Sequence, residues 1–337
     1  MLARGAVLLA LASLLALPLG TQAQQPAKVY RIGFLSVQSS SVFQPQLKAF
    51  RQKLHDLGYA EGRNLVIESR WAEGRYERLS AMATELVRLK VDLILTPGGT
   101  PPALAAKSAT RTIPIVFFAG DAAESGLVAS LGRPGGHLTG ISGLTAGLDA
   151  KRLEILKQAV AVATRVGILW NPENLTGVPQ RNRMALAAEA LQVQPRMLEA
   201  RSPSEIDNAF AMATRERLDA VLVLADPMLT SQRKKIVELA LRARLPLLAY
   251  FQDFAEAGAL VSYGPNTIEV FRQLAVYVDP QGREAGGRSR RGAYEVRADH
   301  QLEDGERAGA DYPPIARGAS GRADSVAPER GRGTPSR

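Results

Sequence analysis

The sequence predicts an α/β protein of two doubly wound, parallel-sheet, Rossmann-like lobes joined by a hinge. Short continuous apolar runs alternate with longer segments whose apolar residues recur at helical spacing. The order strand, helix, strand, helix, strand, helix, strand occurs twice along the chain. Strands that are apolar throughout and separated by helices mean parallel sheets covered on both faces. With 337 residues, 46% of them hydrophobic, the chain can bury a core in each lobe.

In the first half, YRIGFLS (30–36) is a strand, followed by a serine loop. In QPQLKAFRQKLHDLGY, Leu47, Phe50, Leu54 and Leu57 fall near helical spacing, and Gly58 suits the C-terminal cap. LVIES is a strand and ERLSAMATELVRL a helix. DLILTPGG is a buried strand running into a Gly-rich turn. TPPALAAKSAT opens a helix with Thr100 as N-cap and Pro101 at its first position. IPIVFFAGD closes the half as a strand.

The pattern returns after Thr164. TRVGILW parallels YRIGFLS, and a Gly/Asn/Pro loop precedes a helix over 181–190. RMLEA is a strand and PSEIDNAFAMATR a helix. DAVLVLADP parallels DLILTPGG, and LPLLAYF parallels IPIVFF. Between the halves, the Gly- and Pro-rich stretch 130–158 reads as a crossing segment that ends in a helix. SYGPNTIEVFRQLAVYV (262–278) reads as a second crossing. The lobes are thus expected over 28–143, with 265–278 returning to it, and over 144–264.

Composition narrows the function. The chain lacks Cys, which excludes disulfides, thiolate zinc sites, a cysteine nucleophile and a lipid-modified N-terminal Cys. The net charge of +9 comes from Lys and Arg scattered among Asp and Glu, with no nucleic-acid-binding motif. No G-x-G-x-x-G follows a predicted strand, and there is no P-loop and no G-x-S-x-G. His55, His137 and His300 form no triad or metal cluster. The start reads as a secretory signal over 1–23: Arg4 is the basic region, Ala6 to Leu19 the apolar region, and Thr21-Gln22-Ala23 the cleavage site. Its apolar run is short for a bilayer span. A mature periplasmic protein is expected.

Ligands of open α/β sheets bind beyond the strand C-termini, and small-molecule sites favour domain interfaces. Six loops therefore face a shared cleft: 38–41, 96–100, 119–122, 171–176, 225–227 and 250–252. Gln38, Ser39 and Ser40 precede the first helix, and Thr100 begins another; hydroxyls and amides at helix starts suit a carboxylate. Asp121 and Asp226 each follow a strand end, where a carboxylate could hold an ammonium or cap a helix. Asn171 and Asn174 offer amides, or shape a turn. Phe118, Trp170, Tyr250 and Phe251 could cover an apolar ligand group or pack in the core. These groups fit an amino-acid-like zwitterion; a sugar, a nucleobase-like molecule or another small acid would use overlapping ones.

RIGFLS, GRNLVIESRWAEG, TPGGTPPALAAKSATRTIPIVF, LGRPGGHLTGIS and GALVSYGPN resemble the periplasmic substrate-binding proteins of ABC transporters, in the group often labelled tryptophan/tyrosine-type. The resemblance covers 28–278. It implies a periplasmic-binding-protein type I-like fold and a two-lobe clamp that closes on a small ligand. It further implies delivery to an inner-membrane ABC permease, a monomer, no cofactor and no catalytic residue. A ligand sensor for a membrane receptor would use the same clamp. An α/β enzyme is the third class, since fold alone does not decide function.

The family continues past a helix like 267–278 with a strand, a final helix and a TIPPS motif. Here 280–337 has no Lys, Phe or Met. Shifting the codons by one base permits LIINLKTANALGLTIP over 298–314, so a frameshift near Asp279 is inferred. The remainder is expected to be a disordered tail that carries no function, with the family's last strand and helix missing from the second lobe.

Overall fold

The computed structural model describes residues 28–132, 135–143, 146–174, 176–279 and 296–299; for Ala146, Gly147 and 296–299 only the backbone is described. The expected signal segment, 1–23, lies outside the described residues. Two parallel sheets form, one per lobe. The first contains β1 (Tyr30–Ser36), β2 (Leu65–Trp71), β3 (Leu93–Thr96), β4 (Ile115–Gly120), β5 (Leu138–Gly143) and β11 (Val296–Asp299), in the order β11-β5-β4-β3-β1-β2. The second contains β6 (Arg165–Trp170), β7 (Gln194–Glu199), β8 (Ala220–Val223), β9 (Leu247–Ala249) and β10 (Val261–Ser262), in the order β10-β9-β8-β6-β7. Leaving β11 aside, each lobe has the order 2-1-3-4-5, whose switch point sets the site at the C-terminal ends of the strands.

Helices cover both faces of each sheet. In the first lobe, α1 (Gln44–Asp56) contributes Leu47, Phe50 and Leu54 to the core that also holds Phe34 and Leu95. On the opposite face, α2 (Leu79–Arg88) and α3 (Thr100–Ala109) pack Leu86 and Ala103 against Leu35, Ile94 and Phe117. Phe34 and Leu35 are neighbours in β1 yet enter different cores, the period-two consequence of a pleated strand. In the second lobe, α4 (Ala146–Ala159) and α5 (Gly177–Ala190) pack Leu153, Leu156 and Met184 on Ile168 and Leu222. The other face is covered by α6 (Glu205–Arg215), α7 (Pro227–Ser231), α8 (Arg233–Arg242) and α9 (Gln252–Glu256).

After β10 the chain crosses back. Helix α10 (Thr267–Val278) places Val270, Phe271 and Leu274 in the first-lobe core beside Phe50 and Leu54. At its end the buried Asp279 carboxylate accepts a 2.6 Å hydrogen bond from Tyr59.

Two sequence expectations differ from the structure. The stretch LTGISG, expected as part of a crossing, is strand β5, in register with β4 from Ile115↔Leu138 to Gly120↔Gly143. Of the expected disordered tail, Val296–Asp299 forms a parallel edge strand in register with Gly140–Gly143, and it lies on the first sheet rather than the second. Backbone pairing along a free sheet edge needs no apolar side chains, so a polar segment can take that place. The rest of the expected tail lies outside the described residues.

Candidate functional site

The strand ends of both lobes enclose a cavity of about 300 Å³. The first lobe contributes its polar floor. Ser36 ends β1, and its hydroxyl donates to Gln38 Oε1 at 3.0 Å. Gly98 lies flat against this pair: a Cβ there would stand 2.5 Å from Ser36 Oγ and 2.9 Å from Gln38 Oε1. Gly99, at φ 97°, takes the left-handed conformation that turns the chain into α3. Thr100 is therefore the first helical residue and Gly99 the N-cap, one position from the expected arrangement. The Thr100 hydroxyl donates to the Gly120 carbonyl at 3.2 Å. Pro101 and Pro102 lack N–H groups, so the first turn of α3 offers an anion fewer donors than an ordinary helix start.

Asp121, Glu124 and Ser125 follow β4 along the cavity wall. Asp121 has φ 38°, uncommon for a non-glycine residue, and its N–H donates to the Gly143 carbonyl at 3.0 Å. An aromatic lining runs through Phe43, Phe118, Tyr250, Phe251 and Phe271. Tyr250 and Phe251 meet edge to face, 4.5 Å between centroids, and the Arg152 guanidinium lies 4.1 Å from the Tyr250 ring centre.

The lobes touch across the cavity through polar bridges. Tyr76 of the first lobe donates to Asp226 Oδ2 of the second at 2.7 Å. Arg183 in α5 reaches both Glu124 oxygens at 2.8 Å and Asp121 Oδ2 at 3.3 Å, while its Nε holds the buried Asp149 at 2.9 Å. Gln46 in α1 donates to Asp253 Oδ2 in α9 at 3.3 Å. These contacts join the two lobes across the cavity.

Asp226 has taken the capping role. Its Oδ1 accepts from the Leu229 N–H at 2.8 Å, and its Oδ2 from Tyr76, Asn174 (3.1 Å) and Asn171 (3.3 Å). Three donors thus converge on Oδ2 and one on Oδ1, holding the carboxylate from both lobes. Burial pushes its pKa above the ordinary carboxylate value, against the pull of those hydrogen bonds.

Gln38, Thr100, Asp121, Asn174, Asp226 and Tyr250 all line the cavity, as expected of the loops that carry them. Asn174 is engaged at both ends, by Asp226 and by Thr176. Three expected residues lie elsewhere. Ser39 is half-buried and pairs with Ser41 at 2.8 Å, and the exposed Ser40 opens a short 3-10 turn (Ser40–Phe43), because the chain turns outward after Gln38. Asn171 is buried and spends its amide on Asp226 and the Glu173 N–H. Trp170 is core and is absent from the lining.

The sequence reading missed Gln46, Glu124, Asp253 and Thr267, which line the cavity, and the bridging residues Tyr76 and Arg183. Gln46 had a signal: it shares the stripe 46, 50, 54 with Phe50 and Leu54, a polar residue on an apolar face. No group of three metal-ligating side chains occurs among the described residues, and no described helix is long and apolar enough to cross a membrane.

Known proteins share this architecture. The tyrosine-binding protein of Clostridioides difficile is 29% identical over 218 residues, which are 64% of this chain and 62% of that protein, so the chain spans less than two thirds of its relative's length. A conserved domain protein from Vibrio cholerae superposes with TM-score 0.73 at 24% identity, over 81% of this chain and 90% of that one. An ABC domain from Streptococcus pneumonia in complex with L-Trp gives TM-score 0.69 at 20% identity, over 80% and 89%. A solute-binding protein from Agrobacterium vitis with bound allitol gives 0.55 at 16% identity, over 81% and 94%. These neighbours have the periplasmic-binding-protein type I-like fold of two parallel-sheet α/β lobes. Residues 35–279 match the family model described as ABC transporter substrate binding protein, and the chain belongs to that family.

Proposed function

We propose that the protein is the extracytoplasmic solute-binding component of an ABC importer, that it clamps an aromatic amino acid between its lobes, and that it delivers this ligand to a membrane permease without chemical change. The observation that carries this reading is the makeup of the cavity: an aromatic wall of Phe43, Phe118, Tyr250, Phe251 and Phe271, with the carboxylates of Asp121 and Glu124 on the same lining. Aromatic faces cover a flat ring. A carboxylate accepts charge-assisted hydrogen bonds from an ammonium. The Gln38 amide is the polar group left for the ligand carboxylate, since the Thr100 hydroxyl already donates to Gly120, and Asn174 and Tyr250 complete the contact set. Asp226 serves as the keystone of the second-lobe loops. A cavity of about 300 Å³ is at the small end of ligand pockets, ~300–1,000 Å³.

The names of the relatives support the same class, since one is a tyrosine-binding protein and another holds L-Trp. The signal-like start of the chain supports export to the periplasm. Thermal melting of the full chain tests the proposal. L-Tyr or L-Trp at a hundredfold over its dissociation constant is expected to add about 2.7 kcal/mol of stability. Allitol and 5-methylthioribose, bound by fold neighbours, are expected to add none. A shift with the sugars and none with aromatic amino acids contradicts the assignment.

A further inference from the structure

Four carboxylates line the cavity, Asp121, Glu124, Asp226 and Asp253, and among the described residues no lysine, arginine or histidine does. Arg183, outside the lining, reaches Asp121 and Glu124, but its charge is shared. Its Nε holds Asp149, which Arg152 also binds at 3.0 Å, so two guanidinium groups face three carboxylates. That cluster keeps a net negative charge. The half-buried Asp253 adds another: its Oδ2 accepts from the neutral Gln46 amide at 3.3 Å, and it meets no cation among the described residues. A cleft lined by one sign of charge, with low-dielectric walls, concentrates that field on whatever enters it.

The lining is also poor in donors for an anion. Of its five serine and threonine hydroxyls, four already donate within the protein: Thr100 to the Gly120 carbonyl, Ser125 to the Ala122 carbonyl, Thr176 to Asn174 Oδ1 and Thr230 to the Asp226 carbonyl. The fifth, Thr267, shares the Gln46 nitrogen with Asp253, so an anion at its hydroxyl would sit beside that carboxylate. The amides of Asn174 and Gln180 are spent on Asp226 and Asp149, which leaves that of Gln38. A carboxylate entering this cavity gives up its water for a neutral amide in a negative field. An ammonium gains charged acceptors.

We propose that the site recognises its ligand by the ammonium and draws no net affinity from the carboxylate, so that aromatic monoamines, which lack the carboxylate, are ligands as good as the amino acids. This rests on the proposed binding of an aromatic amino acid. Asp253 is a specificity-determining residue in this reading, because its uncompensated charge favours the cation over the zwitterion.

Calorimetric titration of the full chain with L-Tyr, tyramine and 3-(4-hydroxyphenyl)propanoate tests this, since the second lacks only the carboxylate and the third only the amine. Tyramine is expected to bind as tightly as L-Tyr, to within about threefold, or tighter, and the acid about a hundredfold or more weaker than tyramine. Asp253→Asn keeps an oxygen for Gln46 to donate to and removes the charge. It is expected to weaken tyramine about threefold or more beyond any loss for L-Tyr, whose own carboxylate gains from the same change. If that variant does not fold, the wild-type series alone decides. Tyramine more than about threefold weaker than L-Tyr, or the acid as tight as tyramine, overturns the proposal. A folded Asp253→Asn that keeps the wild-type ratio of tyramine to L-Tyr also overturns it. Each of those outcomes leaves aromatic amino-acid binding standing wherever L-Tyr binds. Binding of tyramine without binding of L-Tyr would instead overturn the amino-acid assignment and support the charge selection. If the wild type binds none of the three, the proposed function and this inference fall together.

Discussion

Asp226→Ala is expected to lower stability by about 3–5 kcal/mol. The substitution leaves Tyr76, Asn171 and Asn174 donors facing an apolar methyl, and buried unsatisfied donors cost about 1–3 kcal/mol each. It also removes the N-cap of α7, worth ~0.5–2 kcal/mol. Relief of the carboxylate's own desolvation offsets part of the sum, as its raised pKa indicates. A melting temperature lower by about 10 °C is the expected readout. The pH dependence has a definite sign. Folding raises this pKa, so the stability linked to its protonation is fully present below the unfolded value near ~3.9 and is lost as pH rises through the folded value. The deficit of the alanine variant is therefore expected to widen on acidification. An alanine variant that melts with the wild type would mean that Asp226 is not the keystone of these loops.

Gly264→Ala is expected to damage stability and binding together. Gly264 follows β10, and a Cβ there would stand 2.1 Å from the Tyr250 carbonyl oxygen, a backbone atom that no rotamer change can move aside. Overpacking of this kind costs at the upper end of ~1–3 kcal/mol or more. The displaced segment also carries Tyr250 and Phe251, both in the cavity wall. Melting and ligand titration of the variant should both report the loss. Unchanged affinity in a destabilised protein would separate the Tyr250 segment from the ligand.

The fold was legible because its strands are apolar on both faces. TRVGILW and YRIGFLS announce central parallel strands without any partner being known. β5 was not legible, since LTGISG offers only Leu138 and Ile141 as large apolar residues. Gly140 sits there because a Cβ would fall 2.1 Å from the Phe117 carbonyl oxygen, a neighbour that local pattern does not reveal. The position of the cavity was legible where the topology rule alone sufficed. Gln38, Thr100, Asp121 and Tyr250 sit past strand ends, and the cavity is there. What the rule could not show was which polar groups the protein uses up internally. Asp226 reads in sequence as an ammonium partner or a helix cap, and its partner Tyr76 lies 150 residues away on the other lobe. Gln46 lies on the first turn of α1 rather than in a loop, so a search confined to loops passed over it.

A crystal structure grown with L-tyrosine tests the central claim most directly. The amino acid is expected between the lobes, with its ring against the aromatic wall that includes Phe43 and Phe271, and its ammonium toward Asp121 and Glu124. Tyrosine bound outside the interlobe cavity, or a cavity still empty at saturating tyrosine, would contradict the account.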